Sequence, residues 1–162
     1  MPATIPTPIR DTIANYPPAL ADSFVASYLQ GLPFWLTLPV TFNTTDAAVL
    51  FTVPTGVRFC IHRAGWEVGT SWSGGSSSSI GLSSSNAAYN TKGDIQGGSG
   101  GDLAAAMTGP GFRGGSAIGA KFATNGFIVL IAADTIRFDR IVSAYTAGTA
   151  NAQLWCSILP AS

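Results

Sequence analysis

Residues 34–42 read Phe34-Trp35-Leu36-Thr37-Leu38-Pro39-Val40-Thr41-Phe42, with an apolar side chain at every second position. Successive side chains of an extended strand point to opposite faces. Phe34, Leu36, Leu38, Val40 and Phe42 therefore share one face, and Trp35, Thr37, Pro39 and Thr41 share the other. The pattern predicts a half-buried strand. Pro39 has no N–H to give to a ladder, so the strand belongs at a sheet edge or must donate nothing at that position.

The same period recurs toward the C-terminus. In 149–159, Ala150, Ala152, Leu154, Cys156 and Ile158 form an apolar face opposite Thr149, Asn151, Gln153 and Ser157, and Trp155 stands on the polar side. Ala47 to Val53 predicts a second strand, closed by the turn Pro54-Thr55-Gly56. Val57, Phe59 and Ile61 begin a third, whose apolar phase slips near Arg63-Ala64-Gly65 and resumes on Ala64, Trp66 and Val68. A β-bulge or sheet-switching bend accounts for such a slip. Further strands are expected around Ile80-Gly81-Leu82, at 127–132 and at 135–145. Seven or eight short strands separated by turn signals predict an all-β chain, a jelly-roll-like β-sandwich spanning 34–162.

Ahead of the strands the character changes. Pro2, Pro6, Pro8, Pro17 and Pro18 bias residues 1–18 toward an extended arm. Ala19 to Gln30 carries Leu20, Phe24 and Tyr28 four apart, with a Pro pair before it and Gly31 after it. These signals predict one short N-terminal helix, with its connector, over 19–33. Gly/Ser-rich loops are expected at 69–85 and 92–116; nine of the 25 residues from Lys92 to Ser116 are glycine, and much of that stretch is expected to order only against another chain.

A chain of 162 residues fits one domain and has core enough to fold without a disulfide or a metal. Eight basic residues balance eight acidic ones, so no net field gathers nucleic acid or an anionic membrane, and neither is expected as a partner. Charged residues are only 10% of the chain and mean hydropathy is +0.31. So little charge weakens the repulsion that keeps free monomers apart, which points to surface that neighbouring chains cover; a stable sandwich that is merely poor in charge is the plainer account. Apolar runs are too short for a membrane helix, and MPATIPTPIR lacks a basic region followed by an apolar block. Cys60 and Cys156 lie in strand-like segments without CxxC spacing and are expected as buried free thiols.

Chemistry-bearing constellations are sparse. His62 is the single histidine and Glu67 the single glutamate, so neither a three-ligand metal site nor a pair of catalytic carboxylates is expected, and no cofactor. A Ser-His-Asp triad would need His62 as its base, and no G-x-S-x-G elbow accompanies it. The chain is therefore expected to be no enzyme; a hydrolase would act through Glu67 or His62. Asp94 and Asp102 fall in the Gly-rich loop without the spacing of a calcium loop, and solvated carboxylates are expected there. Gly109-Pro110-Gly111-Phe112-Arg113-Gly114-Gly115 has the glycines of a phosphate cradle but no Gly-Lys-Ser/Thr, and turn chemistry is the expected reading.

Four side chains stand out as contacts. Trp35 and Trp155 are indoles on the polar faces of alternating strands, and tryptophan is enriched where surfaces meet. Both are expected in inter-subunit or inter-element contacts, with cover by the chain's own arm or helix as the alternative. Arg137 and Asp139 share one strand face and are expected either to pair, with each other or across the sheet, or to fix register with a neighbouring subunit. In the arm, Pro6, Pro8, Ile9 and Tyr16 are the candidate contact residues.

The segments Val53-Pro-Thr-Gly-Val-Arg-Phe59, Arg63-Ala-Gly-Trp-Glu-Val68, Ser79-Ile-Gly-Leu-Ser83, Thr91-Lys-Gly-Asp94 and Asp134-Thr-Ile-Arg-Phe-Asp139 resemble small head structural proteins of tailed bacteriophages and prophages, over roughly residues 40 to 160. The resemblance implies a capsid decoration, or cement, protein made in the bacterial cytoplasm. Such a module binds the outside of the assembled head, contacts the major capsid protein and often sits as a homotrimer at local three-fold positions. A second expectation is a receptor- or glycan-binding head domain of a tail fibre, with Trp72 stacking on a sugar.

Overall fold

The structure, a computed structural model, describes residues 32–74, 79–97, 111–114, 119–141 and 143–160. The expected arm and the helix at 19–30 lie outside them. Among the described residues eight strands appear in chain order: β1 (Pro33–Thr41), β2 (Val49–Thr52), β3 (Val57–Ser73), β4 (Ser79–Ser84), β5 (Gly111–Gly114), β6 (Ile128–Leu130), β7 (Thr135–Ile141) and β8 (Ala147–Pro160). They form two antiparallel sheets. The long sheet runs β1-β8-β3, and both β5 and β6 lie along the far side of β3; the short sheet runs β2-β7-β4. Thus β1 pairs with β8, β2 with β7 and β3 with β6.

Alternation sets what fills the space between the sheets. Leu36, Leu38 and Val40 of β1, Ala152, Leu154 and Cys156 of β8, and Phe59, Ile61, Trp66 and Val68 of β3 all turn inward, as the period-two reading expects. They join Phe51, Ile80, Leu82, Ile136 and Phe138 of the short sheet in one core cluster, where the Phe51 and Phe59 rings meet with centroids 5.0 Å apart. The phase slip in β3 is real and begins slightly earlier than expected: register shifts between Ile61 and Arg63, which makes His62 the extra residue of a bulge. Further shifts follow Val68 and Thr70. Each adds bend and twist to a long strand, which lets β3 stay paired with β8 while curving around the core.

Among the described residues β1 is an edge strand, which suits Pro39. Phe42 N donates to Gly148 O across 2.9 Å, so even-numbered residues hold the ladder to β8 and odd-numbered backbone groups face outward. Of those outward donors, Pro33 and Pro39 have none to offer, and Thr41 N is occupied by Thr44 Oγ1 at 2.9 Å. The edge is blunted against addition of another strand.

Several features depart from the sequence expectations. The loop expected at 69–85 is strand at both ends, since β3 runs on to Ser73 and β4 begins at Ser79. A short helix, Ala120–Asn125, forms late in the chain, where none was expected. Gly111–Gly114 is neither turn nor cradle but β5, paired with Gly65–Val68. Part of the expected loop at 92–116 is ordered by this chain itself: Leu82 N donates to Gln96 O (2.7 Å) and Ile95 N to Leu82 O (2.9 Å), so the Gln96 segment lies along the free side of β4. With β7 on its other side, all six residues of β4 are buried.

One glycine fixes how β8 begins. Gly148 has φ +138°, and a Cβ there would sit 2.5 Å from Trp72 Cδ2. Gly148→Ala therefore combines a backbone conformation foreign to alanine with a clash against the indole, and we predict a loss of about 2–4 kcal/mol in urea unfolding.

Candidate functional site

Among the described residues the outward face of the long sheet brings together aromatic and polar side chains from β1, β8 and β3. In the β1–β8 register Trp35 lies opposite Trp155, and Arg63 of β3 lies on the other side of Trp155. The tryptophans occupy a pair without direct backbone hydrogen bonds, where facing side chains come closest. Their rings stack tilted by 52° with centroids 5.0 Å apart. Trp155 is half-buried beneath this contact, while Trp35 remains 40% exposed.

Two residues further along the strands the face turns polar. Thr37 Oγ1 donates to Gln153 Oε1 (2.8 Å), and Gln153 Nε2 donates to Glu67 Oε2 (2.8 Å). Asn151, opposite Glu67, donates from Nδ2 to the same oxygen at 3.3 Å. A hydrogen-bonded row thus crosses β1, β8 and β3 and holds two amides and a carboxylate in fixed orientations.

In the other direction along β8 the bulge turns His62 onto the same face. Its Nε2 lies 2.8 Å from Ser157 Oγ, and its Nδ1 lies 3.9 Å from Cys60 Sγ. This is a hydroxyl–imidazole pair in which a thiol stands where a triad has its carboxylate. Burial pushes the Cys60 thiol up, away from the thiolate form that would orient an imidazolium. Glu67 is far from this cluster, since its neighbour Asn151 and Ser157 are about 20 Å apart along β8 at roughly 3.3 Å per residue. The two side chains singled out for hydrolysis are not brought together.

Several expectations are corrected by the placement of their residues. Arg137 and Asp139 do share a face of β7, but they do not pair with each other. Asp139 is 2% exposed; it accepts from Ser83 Oγ (2.7 Å) and Gly93 N (2.9 Å), while Arg137 Nη2 donates to Ser84 O. Asp139 ties the 93–96 segment over β4 and is not available to a neighbouring subunit. Trp72 is 5% exposed, packed edge-on against Tyr145 at 5.0 Å, and offers no platform for a sugar. Asp94 is not solvated: it is buried, and its Oδ2 closes a turn by accepting from Thr91 N at 2.9 Å. Cys60 and Cys156 are free and buried, as expected. Pro6, Pro8, Ile9, Tyr16 and Asp102 lie outside the described residues. Among the described residues no group of three metal-ligating side chains assembles.

The sequence marked the two indoles but not their contact, because alternation assigns a face and leaves register open. The polar row was missed for the same reason: Glu67, Gln153 and Asn151 become neighbours only once β3 and β8 are aligned. Nothing local in the sequence signals that alignment.

No family model matches the chain, and neither do curated proteins or solved structures.

Burial pushes the Asp139 carboxyl above its ordinary value and the nearby Asp46 charge adds to the rise, against the Gly93 N–H, the Ser83 hydroxyl and Lys92. The folded state then holds this proton at a pH where the unfolded chain has released it. Its contribution is present below the ordinary carboxylate value and is lost as pH rises through the raised one. Asp139→Asn removes that dependence, so the stability gap in favour of the native protein should widen as pH falls through the window, as read by urea midpoints. Asp139→Ala strands the Ser83 and Gly93 donors and should cost about 2–4 kcal/mol at neutral pH. For the indoles, a double-mutant cycle on Trp35→Ala and Trp155→Ala should return a coupling of about 0.5–1.5 kcal/mol.

Proposed function

We propose that this chain is a virion structural protein of a tailed bacteriophage, a decoration or cement protein that binds the outside of the head, and that its two sheets are a jelly roll. The observation that carries the reading is the nesting of the strand pairs. β1 pairs with β8, β2 with β7 and β3 with β6, and β4 is flanked by the Gln96 segment. Nested pairs of this kind are what a long hairpin makes when it rolls up on itself, giving orders 1-8-3-6 and 2-7-4, with β5 as an additional strand beside β6 on β3. Rolled hairpins of eight strands are the jelly rolls of viral capsid domains, lectins and cupins.

Side-chain chemistry supports the capsid branch of that set over the cupin branch. The single histidine is engaged with Ser157, and the single glutamate holds two surface amides. The low charge content suits a subunit that spends its working life against other protein surfaces. In this reading the partners are the major capsid protein and further copies of the chain, as a homotrimer on the capsid exterior, with the Pro-rich arm reaching a neighbour. An arm biased toward extended conformations loses less entropy on docking than a flexible one. The whole acts as a ligand that favours the assembled shell.

Purified protein mixed with heads that lack it should co-sediment to saturation and raise the temperature at which the heads release DNA. Removing Met1 to Pro18 should leave the unfolding midpoint unchanged and weaken attachment at least tenfold. Failure of the full chain to attach to any head would overturn the proposal; equal attachment by the shortened chain would overturn the role of the arm.

A further inference from the structure

We propose that the outward face of the long sheet is a binding site for a short oligosaccharide, with Trp35 stacking on one pyranose ring and Glu67, Gln153 and Asn151 bonding hydroxyls of the sugar residues next to it. This inference does not depend on the capsid reading, and it places glycan recognition on residues other than Trp72, whose indole is interior.

The face offers a ligand both aromatic surface and hydrogen-bonding groups. Trp35 presents indole surface that Trp155 supports from one side only, at 5.0 Å. A wide, rigid, half-exposed aromatic surface next to hydrogen-bonding groups suits a molecule that is apolar on one face and polar at its rim. The neighbouring polar row has both signs of capacity left. Both amide donors fall on Glu67 Oε2, so the second carboxylate oxygen is an acceptor for a ligand hydroxyl. The Asn151 and Gln153 amides each carry a second N–H beyond the one that Glu67 takes.

The row is also built in advance. Thr37 holds the Gln153 carbonyl, Gln153 and Asn151 hold the carboxylate, and all four sit on strands that register fixes. A ligand binding there has few side chains to immobilise. Among the described residues Arg63 and Glu67 are the charged side chains of this part of the face and cancel, which favours a neutral ligand over a polyanion. From Trp155 to Asn151 the strand covers about 13 Å at 3.3 Å per residue, room for a short oligosaccharide rather than one ring. Pro33, Pro39 and the occupied Thr41 N–H leave the outward edge of β1 short of donors, which disfavours strand addition by a peptide at this surface.

The test uses the full chain on an array of neutral glycans, followed by calorimetric titration with the best-bound oligosaccharide. Binding should fall at least tenfold in Trp35→Ala and in Glu67→Gln, persist in Trp35→Tyr, and be unchanged in Val49→Ala, which lies on the edge of the other sheet. Near-ultraviolet dichroism checks that each variant is folded; should Trp35→Ala fail to fold, Trp35→Tyr and Glu67→Gln decide. No neutral glycan bound at millimolar concentration, or binding indifferent to both positions, overturns the proposal. So does a native protein whose sedimentation shows an oligomer that Trp35→Ala dissociates, since a second copy then covers the face. Attachment to heads is measured separately and is expected to be unaffected by either substitution.

Discussion

The pairing of β8 with β1 on one side and β3 on the other is the interaction on which the rest of the molecule depends. It joins the first described strand to the last and forms the centre of the long sheet. Side chains alternate with a period of two, so a slip of one residue would move every core residue of a strand to the solvent face. The register found places Leu36, Leu38 and Val40 beside Leu154, Ala152 and Ala150 in the core, and the same register brings Trp35 onto Trp155 outside. Core and candidate site are two faces of one alignment.

The short sheet solves a different problem. A strand buried on both faces cannot alternate apolar with charged residues, and β4 is accordingly Ser-Ile-Gly-Leu-Ser-Ser, small or apolar throughout. Gly81 lies so close to the covering segment that a Cβ would come within 2.8 Å of Gln96 O. Asp139 is the one carboxylate buried beneath this cover in β7, and its two donors come from opposite partners: Ser83 of β4 and Gly93 of the covering segment. A buried acceptor with donors on two elements ties them together, and removing it leaves both donors unsatisfied. The neighbouring Lys92–Asp46 pair is half-exposed and adds little to that tie.

Period two made most of the long strands legible. The faces of 34–42 and 149–159, the edge position implied by Pro39, the slip in β3 and the buried thiols all follow from local pattern, since each is decided by residues close in sequence. What escaped was non-local. Trp72 sits in a Ser/Gly-rich stretch that reads as an exposed loop, yet β3 runs on through it to Ser73 and turns the indole onto Tyr145. Asp139 reads as one member of an alternating surface charge pattern, and only the return of the 93–96 segment buries it. The 111–114 segment reads as turn because glycines dominate it, but β3 supplies the partner that makes it a strand. The polar row of Thr37, Gln153, Glu67 and Asn151 comes from three separate strands and has no signature in any one of them.

The β1–β8 register is open to measurement through nuclear Overhauser contacts between Hα protons, because facing residues without mutual backbone hydrogen bonds bring these protons together across an antiparallel pair. Hα–Hα contacts are expected between Trp35 and Trp155 and between Thr37 and Gln153 in the labelled 162-residue chain. Contacts displaced by one residue, such as Trp35 with Leu154, or none between these strands, would contradict that register.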